Sequence, residues 1–446
     1  MLHVGFITTV SGRWPRELPN DRLRKYGAWL REQDFPYTRV DCFEELVDSP
    51  AALEKALVFL REKAVDLVVM VYGAFTGDDV CTVIGEQLRV PVVLWAPYEP
   101  PFSRDDRLYA NALVAQTMNA ASMHRLLLPC HTVYGDHTDP RVAGKVRDLI
   151  AAYAVKKRLS GMLLGLLGYR PTAFYNSAFD EGLIRRTFGI RMEETDLKVI
   201  FDRMESFSQE AVQAEMNRVQ SSFGDISLPE GHLENHARLY LALKEIIGQM
   251  GYAYSVIKCW PEMGQLKTTP CAVMGRLADE GMQIGCEGDV DAMLGLMVEN
   301  LLTGLPGFIS DMINVDEKEN TMTFWHCGNP APSLFNPNEK PQLRNHPLAG
   351  QGTAFWTSLK PGPVTIARFC NIDGAYKLFL LKGEAVETKR STRGAMVNVR
   401  VVKPVREMLD FIFENGVPHH YALVWQDVAD QMRTLCGLWN IPVLEA

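Results

Sequence analysis

The feature that most constrains the fold is an alternation of short apolar runs with helix-like segments, from His3 to about residue 135. Val65–Tyr72 reads VDLVVMVY and Val90–Ala96 reads VPVVLWA, so both runs are apolar almost throughout. A strand of this kind has to be covered on both faces, as in parallel sheets. Helices between such strands form right-handed crossovers. The sequence therefore predicts a doubly wound α/β domain over residues 1–160.

A second alternation of the same kind begins near Met162. The run MLLGLLG predicts a strand, and a loop with Tyr169, Arg170 and Pro171 follows it. Leu197–Phe201 is a short strand candidate, and a long amphipathic helix is expected from residue 232 to residue 250. We therefore expect a second α/β domain over residues 161–306.

The pattern changes after Gly304, where short strand candidates are separated by Gly, Pro and Asn turns. This texture is typical of antiparallel, barrel-like sheets. Helical patterns return from Lys403 onward. The third expected domain, residues 307–446, is an antiparallel β-barrel with returning helices.

Charge and composition exclude several classes of partner. The 446 residues hold 46 Lys+Arg and 54 Asp+Glu, a net charge of −8, which disfavours a broad nucleic-acid-binding surface. We find no apolar run of about 18 residues and no signal peptide, so we expect neither a membrane partner nor export. The nine cysteines form no CxxC pair, which predicts buried free thiols in a reducing cytoplasm.

Four short segments contain residues suited to chemistry. In the first, Cys286-Glu287-Gly288-Asp289, a carboxylate lies where a strand ends and a helix begins, the usual place for ligand sites in doubly wound sheets. We expect Asp289 to cap that helix, and Glu287 to be a candidate functional residue with a surface turn as the alternative.

The other three segments follow in the last third of the chain. Asp311 lies inside an apolar run and needs a partner, since an unpaired buried carboxylate is very costly. His326 ends a strand after two aromatic residues, a pattern that also fits an ordinary core histidine. His419 and His420 stand at a strand entrance, and alternation would point only one of them at a given site. Two carboxylates with one or two imidazoles suit Mn²⁺, Mg²⁺, Co²⁺ or Fe²⁺.

These four segments, in this order, resemble the L-fucose/L-arabinose isomerase superfamily. The resemblance is carried by CEGDVDAMLGLMVENLLTG (286–304), GFISDM (307–312), FWHCGNPAPSL (325–335) and KPVREMLDFIFENGVPHHYALV (403–424). It implies two Rossmann-like domains with a C-terminal barrel-containing domain. It also implies metal ligands at Glu287, Asp311, His326 and His420, with Mn²⁺ as the first choice of ion.

The resemblance implies a metal-dependent aldose–ketose isomerase that acts on a free sugar through an enediol. The metal would bind O1 and O2 of the sugar, and Glu287 and Asp311 would serve as acid/base groups besides binding the metal. The family forms homo-oligomers, from trimer to hexamer, whose sites borrow first-domain loops from a neighbour. The loop Ser11–Asp21 is therefore the candidate specificity element, with Arg13 and Trp14 as substrate-binding candidates.

His419 and Asn329 complete the expected substrate-binding set. Two alternatives remain open. One is an isomerase of a 6-modified anionic aldose such as sulfoquinovose, in which Arg13 would pair with the anionic group. The other is a catalytically silent sugar-binding relative, which the complete set of four ligands disfavours.

Overall fold

The apolar run near residue 70 lies at the centre of a five-stranded parallel sheet. All six residues of its strand are buried, as expected for a strand covered on both faces. The strands are β1 (Leu2–Thr9), β2 (Thr38–Val47), β3 (Leu67–Tyr72), β4 (Val92–Ala96) and β5 (Cys130–Tyr134). Their order, β2-β1-β3-β4-β5, is that of a doubly wound fold.

Among the described residues, five helices connect and follow these strands. They are α1 (Glu17–Glu32), α2 (Pro50–Glu62), α3 (Asp79–Leu88), α4 (Ala112–Arg125) and α5 (Pro140–Leu159). The predicted loop Ser11–Asp21 is shorter than expected, because α1 begins at Glu17. Pro19 lies in the first turn of α1, where its missing N–H has no intrahelical partner to lose.

The computed structural model describes residues 1–101 and 108–445. The chain divides into two units, Met1–Arg158 and Leu159–Ala446. The division into three domains stays a prediction, since the second unit holds both of the remaining sheets.

The smaller sheet of the second unit is parallel and four-stranded. Its strands are β6 (Leu163–Leu167), β7 (Arg191–Thr195), β8 (Tyr254–Ile257) and β9 (Ile284–Gly285), in the order β7-β6-β8-β9. Its helices are α6 (Glu181–Phe188), α7 (Leu197–Ser206), α8 (Gln209–Ser222), α9 (His232–Met250), α10 (Glu262–Gln265), α11 (Cys271–Asp279) and α12 (Val290–Thr303).

The strand expected at Leu197–Phe201 is wrong, since these residues open α7. The Asp196 side chain accepts a hydrogen bond from the Lys198 N–H and caps the helix. Leu197, Ile200 and Met204 are buried at helical spacing, and this periodicity overrides the short apolar run.

The larger sheet is mixed and nine-stranded. Its strands are β10 (Phe308–Asp316), β11 (Thr321–His326), β12 (Gln342–Arg344), β13 (Ala354–Ser358), β14 (Gly362–Ile372), β15 (Ala375–Val386), β16 (Ala395–Val401), β17 (His420–Val424) and β18 (Val443–Glu445). The helices α13 (Val405–Glu414) and α14 (Ala429–Trp439) return between its last strands.

Antiparallel pairing dominates this sheet, as its turn-rich sequence predicts. The strands follow the order β12-β13-β16-β11-β10-β17-β14-β15-β18, and β15 also pairs with β16. The chain is thus mixed α/β with two parallel sheets and one large mixed sheet, while the closed barrel stays a prediction.

Two further observations bear on the expectations from composition. All nine cysteines are free thiols, and six of them are buried. Over the residues that the structure describes, no helix combines the length and the apolar character needed to cross a membrane.

Candidate active site

Glu287 lies in the turn between β9 and α12, at the carboxyl end of the parallel sheet. This is the strand–helix junction that the sequence predicted. Its backbone has a φ of 55°, a left-handed conformation that is strained for a non-glycine residue, and Gly288 follows with a φ of 62°. The turn directs the Glu287 carboxylate toward β17, where its Oε2 lies 3.5 Å from Nε2 of His420.

Strand register brings the next residues to the same place. Asp311 on β10 pairs directly with His420 on β17, and residues opposite each other on neighbouring strands share a face. Asp311 Oδ1 lies 3.7 Å from His420 Nε2. His326 is the last residue of β11, and its ring centroid lies 5.5 Å from that of His420. The four residues taken from separate segments therefore meet.

Both members of the histidine pair face the two carboxylates, contrary to the expectation from strand alternation. His419 Nε2 lies 3.6 Å from Glu287 Oε2 and 3.9 Å from Asp311 Oδ1. The alternation rule does not apply because β17 begins at His420, so His419 belongs to the preceding loop. Asn176 Nδ2 donates a hydrogen bond to His419 Nδ1 at 2.6 Å.

The donor atoms fit a divalent cation. Ligand atoms of Glu287, His419 and His420 lie within 4.8 Å of one another, as do those of Asp311, His326 and His420. Ligands held about 2.1 Å from one ion lie roughly 3 to 4 Å apart, which matches these contacts. Asp311 Oδ1, His326 Nδ1 and His420 Nε2 are buried without a hydrogen-bond partner among the described residues. Such atoms are costly unless a ligand satisfies them.

A buried ion pair fixes the ring of His420. Its Nδ1–H donates to Asp289 Oδ2 at 2.9 Å, and Arg368 Nη1 donates to the same oxygen at 2.7 Å. The side chains of all three residues are fully buried. Asp289 Oδ1 also accepts from the Ala292 N–H, which confirms the predicted helix cap. In the neutral imidazole Nδ1 therefore carries the proton, and Nε2 of His420 offers its lone pair to the site.

The electrostatics of the cluster favour ionised carboxylates. Burial opposes ionisation of Glu287, but contact with His419 and the charges of His420 and His326 outweigh it and lower its pKa to about 2. Burial likewise opposes ionisation of Asp289, yet Arg368 and His420 hold its pKa well below the usual range. Burial lowers the pKa of His326. Burial opposes protonation of His420, but its contact with Asp289 and the charges of Asp311 and Glu287 outweigh it and raise its pKa. The cluster therefore combines negative oxygens with imidazoles that offer lone pairs to a cation in their neutral form.

A cavity of about 370 Å³ opens beside Glu287 and His326. Trp260 forms part of its wall, and its Nε1 donates to Glu287 Oε1 at 3.2 Å. His346 Nδ1 accepts from the N–H groups of Leu348 and Ala349, which leaves its proton on Nε2. Four thiols also line this cavity: Cys259, Cys271, Cys286 and Cys327.

The remaining predicted substrate residues occupy different environments. Arg13 is exposed in a turn of the first unit, and Trp14 packs on the core of that unit. Asn329 is buried, and its Nδ2 donates to the carbonyl of Ile309 at 3.3 Å. The Asn329 Oδ1 atom has no partner in the described part of the chain. Substrate-binding roles for these residues stay predictions.

Sequence reasoning missed three residues that support the cluster. Arg368 had a usable signal, because a charged residue inside the apolar strand VTIARFC requires a buried counter-charge. Trp260 and Asn176 had none, since both reach the site only through loop placement.

Comparison with known proteins supports the superfamily resemblance. Residues 325–446 match the family model described as L-fucose isomerase, C-terminal domain. A sulfoquinovose isomerase of Alkalicoccus urumqiensis is 27% identical over 406 residues, which is 90% of each chain. The sulfoquinovose isomerase of Clostridium sp. (strain MSTE9) is 26% identical over 414 residues, 91% of each chain.

A third relative has the same printed name. The sulfoquinovose isomerase of Priestia megaterium (strain ATCC 12872 / QMB1551) is 25% identical over 400 residues, 89% of each chain. A solved galactofuranose binding protein aligns at 13% identity with a TM-score of 0.16, covering 60% of this chain and 79% of its own. That score supports no conclusion about fold.

Proposed function

Because the chain belongs to the L-fucose isomerase-like superfamily, we propose that it is an aldose–ketose isomerase whose substrate carries an anionic group at C6, such as sulfoquinovose. The main support for this chemistry is that Glu287 Oε2 and Asp311 Oδ1 lie 3.5 Å and 3.7 Å from Nε2 of His420. The ligand atoms of Asp311, His326 and His420 also lie within 4.8 Å of one another. The names of the similar proteins favour the anionic sugar over a neutral one.

A divalent cation fits this cluster, held by Glu287, Asp311 and His420 with His326 beside them. Bound there, it would supply a Lewis acid that polarises the sugar carbonyl and stabilises negative charge on O1 and O2. His420 is the better ligand of the histidine pair, because its Nδ1–H is committed to Asp289 and its Nε2 is free. Mn²⁺ is the first ion to test, with Mg²⁺, Co²⁺ and Fe²⁺ as alternatives.

The chain's own residues account for the proton movements. A carboxylate of Glu287 or Asp311 takes the proton from C2 of the aldose and returns it to C1, which converts an enediol into the ketose. The O2 proton moves to O1 in the same conversion, so no atom is gained or lost. His419 is protonated on Nε2 when Asn176 donates to its Nδ1, and it thereby stabilises the ionised form of Glu287.

A neutral sugar is the second candidate substrate, because the matching family model is named for L-fucose isomerase. In either case, the expected homo-oligomer would place Arg13 and Trp14 of a neighbouring subunit at the site. This placement of Arg13 and Trp14 follows from the resemblance to the L-fucose/L-arabinose isomerase superfamily.

The test is turnover of a panel of aldoses by purified protein loaded with Mn²⁺. The panel contains sulfoquinovose, its neutral parent sugar glucose, L-fucose and L-arabinose, with ketose measured by chromatography. We expect the highest kcat/KM for sulfoquinovose. A clear preference for L-fucose or L-arabinose would establish the second candidate instead.

The matched variant is Glu287→Gln, which keeps the size of the side chain but removes the carboxylate. We expect it to lose turnover at least 1,000-fold while its circular dichroism and Tm stay near those of the wild type. Wild-type turnover in this variant would contradict the assigned role of Glu287.

A further inference from the structure

The loop after β6 holds a cation that faces no counter-charge. Arg170 follows the carboxyl end of this strand, on the same edge of the parallel sheet as the turn that contains Glu287. None of the described carboxylates lies within ion-pair distance of its guanidinium, and its Nε is buried without a hydrogen-bond partner in the described part of the chain. By contrast, Lys258, Arg276 and Arg368 each face a carboxylate.

Two aromatic rings hold this guanidinium instead. Its Cζ lies 5.4 Å from the ring centroid of Tyr169 and 5.4 Å from that of Tyr175. Both tyrosines are exposed. Stacking of this kind orients the planar fork of arginine while its N–H groups stay available to an anion.

Several contacts join the Arg170 loop to the site. A Cβ placed on Gly288 would meet the Tyr169 carbonyl at 2.1 Å and the Arg170 Cα at 3.2 Å, so the loop backbone lies directly on the residue after Glu287. Farther along the loop, the Phe174 ring lies 5.3 Å from Trp260.

The charge of the chain favours a ligand-binding role for the Arg170 guanidinium. The whole chain has a net charge of −8, so its field opposes the approach of an anionic sugar, and a cation beside the site would offset that repulsion. Arginine binds sulfonate and phosphate oxygens through two parallel N–H groups, a geometry that lysine does not offer.

We propose that Arg170 binds the anionic group at the far end of the sugar, a sulfonate or a phosphate at C6. This inference rests on the proposed isomerase function and names its specificity-determining residue within the same chain. It differs from the sequence expectation that Arg13 reads this group.

The experiment compares the wild type with Arg170→Met and Arg170→Lys on three aldoses of the same configuration: a 6-sulfonate, a 6-phosphate and the neutral sugar. We expect Arg170→Met to lower kcat/KM for at least one anionic aldose 10-fold or more beyond its effect on the neutral sugar, mainly through KM. Arg170→Lys should recover part of the loss. Comparison of the kcat/KM losses on the 6-sulfonate and the 6-phosphate shows which anionic group Arg170 binds.

Arg400→Met is the matched control. Arg400 is exposed on β16, five residues along the strand from Ala395, which pairs with His326. This variant removes the same charge and should leave all three kcat/KM values within twofold of the wild type. Equal losses by Arg170→Met on neutral and anionic sugars, or no loss at all, would overturn the proposal.

A binding measurement separates the two proposals. Calorimetry with a 6-sulfonated alditol, which cannot isomerise, should show binding to the wild type that weakens at least 10-fold in Arg170→Met. Such binding in a protein that turns over no aldose would refute the isomerase function and keep the anion site. Turnover of the 6-sulfonated aldose, together with equal alditol binding by the wild type and by Arg170→Met, would refute the anion site and keep the isomerase function.

Discussion

At the scale of single residues, the candidate site depends on buried charges that compensate one another. Arg368 and Asp289 form an ion pair with both side chains fully buried, and Asp289 in turn accepts from His420. Removal of one partner from a buried pair leaves an uncompensated charge, which is far more costly than the pair itself. The same carboxylate caps α12, so one residue links the helix, the ion pair and the imidazole.

Asp289→Asn separates these roles, because asparagine is also a good helix cap. Without the negative charge, Arg368 is left buried and unpaired, and we expect the free energy of unfolding to fall by about 3 kcal/mol. We also expect Mn²⁺ affinity, measured by calorimetry, to fall roughly 10- to 100-fold because His420 loses its charged partner.

The double variant Asp289→Asn/Arg368→Met is the control for this prediction. It removes both charges, so stability should largely return while metal affinity stays low. Recovery of wild-type metal affinity in the double variant would show that Asp289 does not position His420 for a cation.

Glu299 is a second buried ionisable residue, and no described side chain compensates its charge. The residue is fully buried in α12, and neither carboxyl oxygen has a partner within the described residues. Burial raises the pKa of Glu299 well above its usual value, so the folded protein keeps a proton that the unfolded chain releases. Stability therefore decreases as pH rises above the ordinary glutamate pKa, by up to about 1.4 kcal/mol per pH unit.

Glu299→Met removes this penalty with little change in volume. We expect it to raise the free energy of unfolding by at least about 1 kcal/mol at pH 8, and by less at pH 5. Urea unfolding at the two pH values measures the difference. Glu414→Met, at an exposed position of α13, should change stability by less than about 0.5 kcal/mol at either pH. A gain for Glu299→Met that is equal at both pH values would contradict the assignment.

At the scale of elements, the sequence predicted most strands and helices because apolar periodicity reports burial directly. It failed at Leu197–Phe201, where a run of five residues is too short to distinguish a strand from a capped helix. For the site, it predicted that Glu287 lies at a strand–helix junction. It could not show that Asp311 and His420 are partners, since the register between β10 and β17 is set over a separation of more than 100 residues.

The turn between β9 and α12 is the element on which the site geometry depends most. Gly288 has a positive φ, and a side chain there would clash with the Tyr169 carbonyl. Gly288→Ala should therefore displace the loop after β6 and move Glu287, with turnover at least 100-fold lower and anion binding weakened. Gly304→Ala, at the other end of α12, is the control.

Gly304 also has a positive φ, of 70°, but open space surrounds its Cβ position. Its substitution should cost only the left-handed backbone strain, roughly 1 kcal/mol, and leave turnover within a few-fold of the wild type. Similar losses of turnover in both variants would mean that α12 as a whole, rather than contact with the Tyr169 loop, determines the geometry.

At the scale of the whole molecule, the predicted site residues divide unequally between the two units. Glu287, Asp311, His326, His419 and His420 all belong to Leu159–Ala446, whereas Arg13 and Trp14 belong to Met1–Arg158. Hydrophobic patterning predicts how each unit folds, because it reports local burial. It contains no information on how subunits assemble, so the contribution of Arg13 and Trp14 to a neighbour's site stays a prediction.

The most direct test of the central claim is proton NMR of sulfoquinovose in D₂O with metal-stripped and Mg²⁺-reloaded protein. We predict a ketose with deuterium at C1, formed only by the reloaded protein. This result would show that a base of the protein exchanges the transferred proton with solvent and that turnover needs a divalent cation. Ketose formation at equal rates without metal, or no ketose from any aldose of the panel, would contradict a metal-dependent isomerase.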